Sequence, residues 1–273
     1  MKGEVPLHTP HHRSHTSHLL MAAQHEHAAR FFDSVSGTYK DKYKDRSPFH
    51  HYFFNERLEK ATRDLDLSDA DVLDIGSGTG DLFEHLVQRF PAMRFHATDV
   101  SAGMLAQSAV PSERKYTGHA YDHPFATKAF DAIFMLGVTT YLTPEELEKN
   151  LAFISRSLKP GGVAVITFTN KHALDTWMRA LARGPMTWFG KKGNVLSSGL
   201  KLWMYANSEA GSIMAKHFRR ERMDVLNHTV FPFNLLLPGL SLAIARRLAR
   251  VKGSPAWLRW LSSDLLIRAT SKK

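Results

Sequence analysis

The sequence predicts an α/β protein: a doubly wound, mostly parallel sheet with an N-terminal helical cap and a C-terminal insert. Three observations predict it. Short apolar runs alternate with helical patterns from about residue 71 to 169, the arrangement that builds a parallel sheet. The stretch "VLDIGSGTGDLFEHL" (72–86) puts Gly76, Gly78 and Gly80 where a strand hands over to a helix. Hydrophobic residues make up 43% of a 273-residue chain, enough for a substantial core.

The elements follow in order. Residues 1–20 are polar and rich in His and Pro and are expected to be a disordered tail. Residues 21–64 form the cap. Phe31, Phe32, Val35, Tyr39 and Tyr43 recur there at helical spacings, and a second helical segment, "HHYFFNERLEKATRDL", follows Pro48. The sheet domain occupies 65–273. Strands are expected near 71–75, 94–99, 115–117, 130–135 and 162–169. Helices fit 80–90, 102–109 and 144–158, the last opened by a capping box of Thr143 and Glu146 with Pro144 at the first helical position. "ERMDVLNHTVF" (221–231) reads as a sixth strand and "SDLLIRATSK" (263–272) as a final one. Between them, at about 231–262, lies an apolar and basic insert. No Asp, Glu, Lys or Arg occurs from His228 to Ala245. A membrane-spanning helix needs about 20 apolar residues, and Pro232, Asn234 and Pro238 interrupt this shorter run, so no transmembrane helix is expected.

Glycine adopts backbone angles closed to other residues and lets a ligand approach the main chain. A glycine turn between strand and helix therefore exposes a helix N-terminus to a ligand. The spacing here is G-x-G-x-G. A dinucleotide turn of the G-x-G-x-x-G type would need glycine at 81, where the chain has Asp81. An acidic group at that mouth repels a pyrophosphate and suits a ligand carrying positive charge.

With "LDIGSGTG" the sequence resembles the first motif of the class I S-adenosylmethionine-dependent methyltransferases, of the small-molecule type. The resemblance continues in order through "FHATDVS" (95–101), "FDAIFMLGVTTYL" (130–142) and "LKPGGVAVIT" (158–167), and covers roughly Asp64 to Asn170. It implies a Rossmann-like, seven-stranded sheet whose last strand runs antiparallel to the rest and pairs with the sixth. It implies S-adenosyl-L-methionine as cofactor. Gly76, Ser77, Gly78 and Gly80 would let the backbone approach its amino-acid end, with Asp74 near the ammonium group. Asp99 would accept hydrogen bonds from the ribose hydroxyls. Val100 and Met104 would flank the adenine, and Leu136 and Gly137 would line the methionine portion. Tyr39 matches a tyrosine that closes over the cofactor. "GHAYDHPF" (118–125) departs from the family's Gly-Asp-Ala: His119 stands for the Asp that bonds the adenine amino group. Neutral imidazole can still accept one hydrogen bond, Asp122 is an alternative, and the Ala120 N–H is the better adenine contact.

The resemblance implies methyl transfer to a small acceptor, and the apolar insert and the cap phenylalanines suggest one that is apolar or lipid-like. Methyl transfer from a sulfonium needs mainly alignment and exclusion of water. No general base declares itself, and His50, His51, Tyr141 and His172 are the weak candidates. The family often has a His pair after the fourth strand, where this chain has Thr140 and Tyr141.

Composition bounds the partners. The absence of cysteine excludes disulfides, thiol nucleophiles and cysteine-ligated metals. Seven of the 16 histidines fall between His8 and His27, but no spacing such as H-E-x-x-H appears, and no metal site is expected. The N-terminus lacks the apolar run of a signal peptide, and a cytoplasmic protein is expected. Of the net +10, residues 171–273 carry 18 Lys+Arg against 5 Asp+Glu, and residues 1–170 carry 18 against 21. A basic C-terminal third points to an anionic partner. Peripheral contact with an anionic membrane is one expectation, from Leu240, Ile244, Leu248 and Val251 with Arg246, Arg247 and Arg250, followed by Trp257 and Trp260. The same segment could instead be a lid over the substrate pocket. A nucleic-acid methyltransferase is the alternative, disfavoured because "LGVTTYL" lacks the Asn/Asp-Pro-Pro-aromatic signature. A non-catalytic cofactor-binding module is a second, at odds with Asp74, the glycines and Asp99. No obligate protein partner is indicated.

Overall fold

The computed structural model describes residues 12–40, 48–188, 200–251 and 253–272. Seven strands form one sheet: β1 Asp71–Ile75, β2 Arg94–Asp99, β3 Lys115–Thr117, β4 Phe130–Met135, β5 Leu158–Thr169, β6 Phe218–Leu226 and β7 Asp264–Ser271. Their order is β3-β2-β1-β4-β5-β7-β6. β1 to β5 are parallel. β7 runs antiparallel to both its neighbours, β5 and β6, as the resemblance implied.

The strands alternate their cores. Leu73, Ile75, Ile133 and Met135 join the apolar cluster on one face. Val72, Ala132 and Phe134 join the cluster on the other. Period-two side-chain alternation sends successive residues to opposite faces, and helices cover both. Ten α-helices occur among the described residues: α1 His12–Lys40, α2 Pro48–Thr62, α3 Asp81–Val87, α4 Ala102–Ala106, α5 Pro144–Ser157, α6 Leu174–Trp188, α7 Asn207–His217, α8 Phe233–Leu236, α9 Pro238–Leu248 and α10 Ala256–Trp260. α5 carries the expected capping box: Glu146 N donates to Thr143 Oγ1 at 3.2 Å and Thr143 N to Glu146 Oε2 at 2.8 Å.

Four expectations change. The tail expected to be disordered is helical from His12 on; residues 1–11 lie outside the described residues, as does Tyr43. Extending a helix costs little once a stretch of it is anchored, and α1 is anchored further along. Asp33 of α1 accepts from Ser101 Oγ at 2.5 Å and Gly103 N at 2.9 Å, and Gln24 donates to Lys201 O at 3.1 Å. β5 begins four residues early, at Leu158, because Phe130 pairs with it before a register shift. β6 begins at Phe218, three residues before the expected start, because Phe218 is buried and pairs with Ser271. The insert folds as α8, α9 and α10 rather than as a lid. Tyr52 of α2 donates to Ala245 O at 3.1 Å, and Ser241 and Ala245 form the inward stripe of α9. Leu236, Leu237, Leu240 and Ile244 point outward, Leu236 at 70% exposure.

Candidate functional site

A cavity of about 440 Å³ opens at the C-terminal ends of β1, β2 and β4, with α1 and α2 across it. This is where an open α/β sheet offers its crevice, at the point where strand order reverses. The volume falls within the range of small-molecule sites, roughly 300–1,000 Å³.

The glycine turn forms its floor. Gly76 has φ +69, and a Cβ there would overlap the side chain of Val138. Gly76 N and Ser77 N donate to Thr98 O at 2.8 and 2.9 Å, so the turn is tied to β2. Gly78 N donates to Asp99 Oδ2 at 2.8 Å, and Ser101 N to Asp99 Oδ1 at 2.9 Å. Each carboxylate oxygen accepts up to two hydrogen bonds, so Asp99 retains acceptor capacity toward the cavity. Ser101, not Asp99, caps α4, accepting from Met104 N at 3.0 Å.

Of the residues singled out in the sequence, Tyr39, Asp74, Gly76, Ser77, Gly78, Asp99, Val100, Met104, His119, Ala120, Leu136 and Gly137 all line this cavity. Gly80 does not. It is the left-handed residue preceding α3, at φ 81, and a Cβ there would overlap Ser108. Asp122 is not on the lining either. Among the weak candidates for a base, His50 and Tyr141 line the cavity. His51 does not: it lies on a separate surface hollow beside Tyr52 and Asn55. Nor does His172, whose backbone N donates to Asn170 Oδ1 on a third hollow. No described residue of the 231–262 insert lines the cavity, so its described leucines do not line an acceptor pocket there; the cap's Phe31, Phe32, Phe53 and Phe54 do line it.

The cavity is also lined by four residues not selected from the sequence as site residues: His25, Arg57, Asp264 and the capping-box Glu146. They come from α1, α2, α5 and β7, far apart in the chain, and only the fold brings them together. Arg57 stacks over Phe53, with its guanidinium carbon 4.2 Å from the ring centre, and its Nε is buried without a hydrogen-bond partner.

The electrostatics favour a cationic ligand. Burial, with Asp99 and Asp81 close by, pushes the Asp74 carboxyl well above the usual range. Burial lifts Asp99 to about 6, although backbone N–H groups of Ser101 and Gly78 pull the other way. Asp264 reaches about 6 by burial, opposed by Arg57 and by hydrogen bonds from Thr169 and Asn227. Five carboxyl groups, those of Asp74, Asp81, Asp99, Glu146 and Asp264, thus share the cavity with one arginine among the described lining residues. Burial lowers His50, and burial with His25 and Lys149 nearby lowers His119 to about 4, leaving both rings neutral at pH 7.

Residues 72–162 match the family model of a methyltransferase domain. Over 172 residues the chain is 31% identical to the malonyl-[acyl-carrier protein] O-methyltransferase of Marinomonas sp., covering 59% of this chain and 56% of that protein. Over 107 residues it is 33% identical to the biotin biosynthesis bifunctional protein of Teredinibacter turnerae, covering 33% of this chain and 18% of that one. The chain thus spans less than two thirds of either relative. Among solved structures, the geranyl diphosphate C-methyltransferase of Streptomyces coelicolor superposes with a TM-score of 0.56 at 16% identity, covering 91% of this chain and 98% of that one. The magnesium protoporphyrin IX methyltransferase of Synechocystis gives 0.57 at 12% identity, covering 91% and 100%. At such identities the likeness is one of fold.

Proposed function

We propose that this protein, which matches the family model of a methyltransferase domain over residues 72–162, is a class I S-adenosylmethionine-dependent enzyme that transfers a methyl group to a small acceptor that is apolar or lipid-like. One observation carries the proposal: the glycine turn and three carboxylates, Asp74, Asp81 and Asp99, meet in a single cavity. The group fits. S-adenosylmethionine has a sulfonium and an ammonium for the carboxylates, a carboxylate for a cation, and a ribose with two hydroxyls. When bound it supplies a methyl group already activated for transfer.

The chain's residues would bind, orient and exclude water. Asp74 answers the ammonium group, Asp99 accepts from the ribose, and Arg57 answers the carboxylate. The bare backbone at Gly76 and Gly78 permits the close approach. The aromatic wall of Phe31, Phe32, Phe53 and Phe54 removes water from the acceptor's side, which strengthens every charge interaction inside. His50, held neutral, can take a proton from an acceptor that must lose one. Calorimetry with S-adenosylmethionine and S-adenosylhomocysteine tests the core of this. Wild-type protein should bind both, and Asp99→Ala should bind more weakly by about 1–3 kcal/mol, the cost of unpaired polar groups. Asp99→Asn, which keeps the shape, should weaken binding in the same direction. No binding to folded wild-type protein would sink the proposal.

The named relatives support the lipid-like class, since one of them is named for an acyl-carrier substrate. A specific observation favours delivery from a membrane surface. Phe233, Leu235, Leu236, Leu237, Leu240 and Ile244 are exposed on α8, α9 and the linker between them, and Trp257 and Trp260 on α10. Arg246, Arg247 and Arg250 are exposed beside them. Exposed apolar groups flanked by arginine and tryptophan suit the headgroup layer of an anionic bilayer. No helix among the described residues is long and apolar enough to cross a membrane.

A further inference from the structure

One cluster on the cavity wall takes no part in the binding roles given above to Asp74, Asp99 and Arg57, although one of its members, His119, is the residue that the resemblance placed against the adenine amino group. His25 of α1, His119 of the loop after β3 and Glu146 of α5 each bring a ligand atom to within 4.8 Å of the others. His119 Nε2 lies 4.0 Å from Glu146 Oε1, beyond hydrogen-bond reach. The imidazole rings of His25 and His119 have centroids 4.1 Å apart. Glu146 is buried at 3% exposure. Two imidazoles and a carboxylate that converge on one point without bonding each other leave the gap that a cation fills.

We propose that His25, His119 and Glu146 form a site for a zinc-class metal ion that pins helix α1 across the cavity. Imidazole and carboxylate are the ligands of open zinc sites, with bonds of roughly 2.0–2.2 Å. Small side-chain rotations bring atoms spaced as these are to that distance. The carboxylate is oriented in advance: Glu146 Oε2 accepts the Thr143 N–H at 2.8 Å, the outer hydrogen bond that metal-bound carboxylates characteristically make. All three ligands line the cavity, so the fourth position faces inward and takes water or an oxygen of a bound molecule. The three ligands also come from three separate elements. α1 is already tied near Asp33 and Gln24, and an ion at His25 would add a tie between α1, the His119 loop and α5. The site does not depend on the methyl-transfer proposal, because it is read by metal binding alone.

The test is a titration of the full chain with Zn(II) against a competing chromophoric chelator, with no cofactor added. The variants are His25→Ala, His119→Ala and Glu146→Gln. Glutamine keeps the capping box, so Glu146→Gln removes a ligand charge without uncapping α5. The remaining histidines between His8 and His27 are the same in Glu146→Gln and His119→Ala as in wild type and set a common background. Wild type should show one tight ion per chain. Each variant should lose it, with affinity falling by at least about tenfold, the loss that even outer-shell changes cause. Zinc should also slow amide exchange over residues 24–33 in wild type and not in Glu146→Gln. Superimposable isotherms for wild type, His119→Ala and Glu146→Gln would overturn the proposal, and so would unchanged exchange in zinc-loaded wild type.

Discussion

At the scale of single residues, the cavity's chemistry lies in carboxyl groups held near neutrality. Asp99 and Asp264 titrate near 6 in the folded protein, against an ordinary value of 3.8. Between those limits the folded protein holds protons that the unfolded chain has released. Stability from these groups is therefore present at low pH and falls as pH rises through the window. His119 and His228 act oppositely. Burial depresses both to about 4, so their contribution is present above the ordinary 6.5 and is lost as pH falls toward 4. The two effects overlap and offset each other in a melting curve. Cofactor binding separates them, because a permanent cation prefers ionised carboxylates. Affinity for S-adenosylmethionine should rise with pH through about 6, and Asp99→Asn should flatten part of that rise. Isothermal titrations at about pH 5 and about pH 7.5 check this, and equal affinities would refute it. Gly76, Gly78, Asp74 and Asp99, which line the cavity, were legible in the sequence because they lie in one short turn or end a strand. Arg57, Asp264 and His25 were not, and Glu146 was legible only as a helix cap, because nothing local marks a side chain whose role depends on a neighbour far along the chain.

Elements were legible where a local signal forced them. β1, β2, β3 and β4 lie where their apolar runs end in turn residues. α5 begins where Thr143, Pro144 and Glu146 announce it. Thr143→Ala removes the side-chain acceptor for Glu146 N, and N-cap losses of this kind cost about 1 kcal/mol. In a chain of this size that lowers the melting temperature by roughly 2–4 °C. Differential scanning calorimetry decides it; an unchanged transition would show that the cap contributes nothing. α6 and α7 were not distinguished in the sequence. β6 escaped a correct boundary because "FRRERMD" puts charge on an outer strand, where alternation is masked by solvent exposure. The insert misled for a related reason. Its leucines recur at helical spacing, and spacing alone does not say which side of a helix meets the protein. Leu248 packs partly against the core, whereas Leu240 and Ile244 face out.

At the scale of the whole molecule, charge and apolar exposure coincide. The basic third of the chain also carries the outward leucines and tryptophans. α6 adds Trp177 and Leu181, exposed at 67% and 76%. It is tied to the start of the insert, since Phe231 N donates to Asp175 Oδ1 at 2.8 Å and Arg179 lies over the Phe231 ring. Each basic residue near an anionic bilayer contributes about 1 kcal/mol. Three arginines alone give weak attachment, and the leucines must supply the rest. The protein should float with anionic vesicles at low salt and release as salt rises. Replacement of Arg246, Arg247 and Arg250 by Glu should reduce flotation, and wild type that stays unbound at low salt would exclude the membrane contact. The sheet order carries a last consequence, for synthesis. β7 sits inside the sheet between β5 and β6, yet it is the last strand to be made. Until residues 264–271 have left the ribosome, β5 has an open edge with unpaired backbone groups and β6 has no partner in the sheet. At about 5–20 residues per second, the stretch from Thr169 to Ser271 keeps that edge open for several seconds. An open edge is a template for pairing with other chains. Completion of the sheet is therefore a step that follows translation of the final strand.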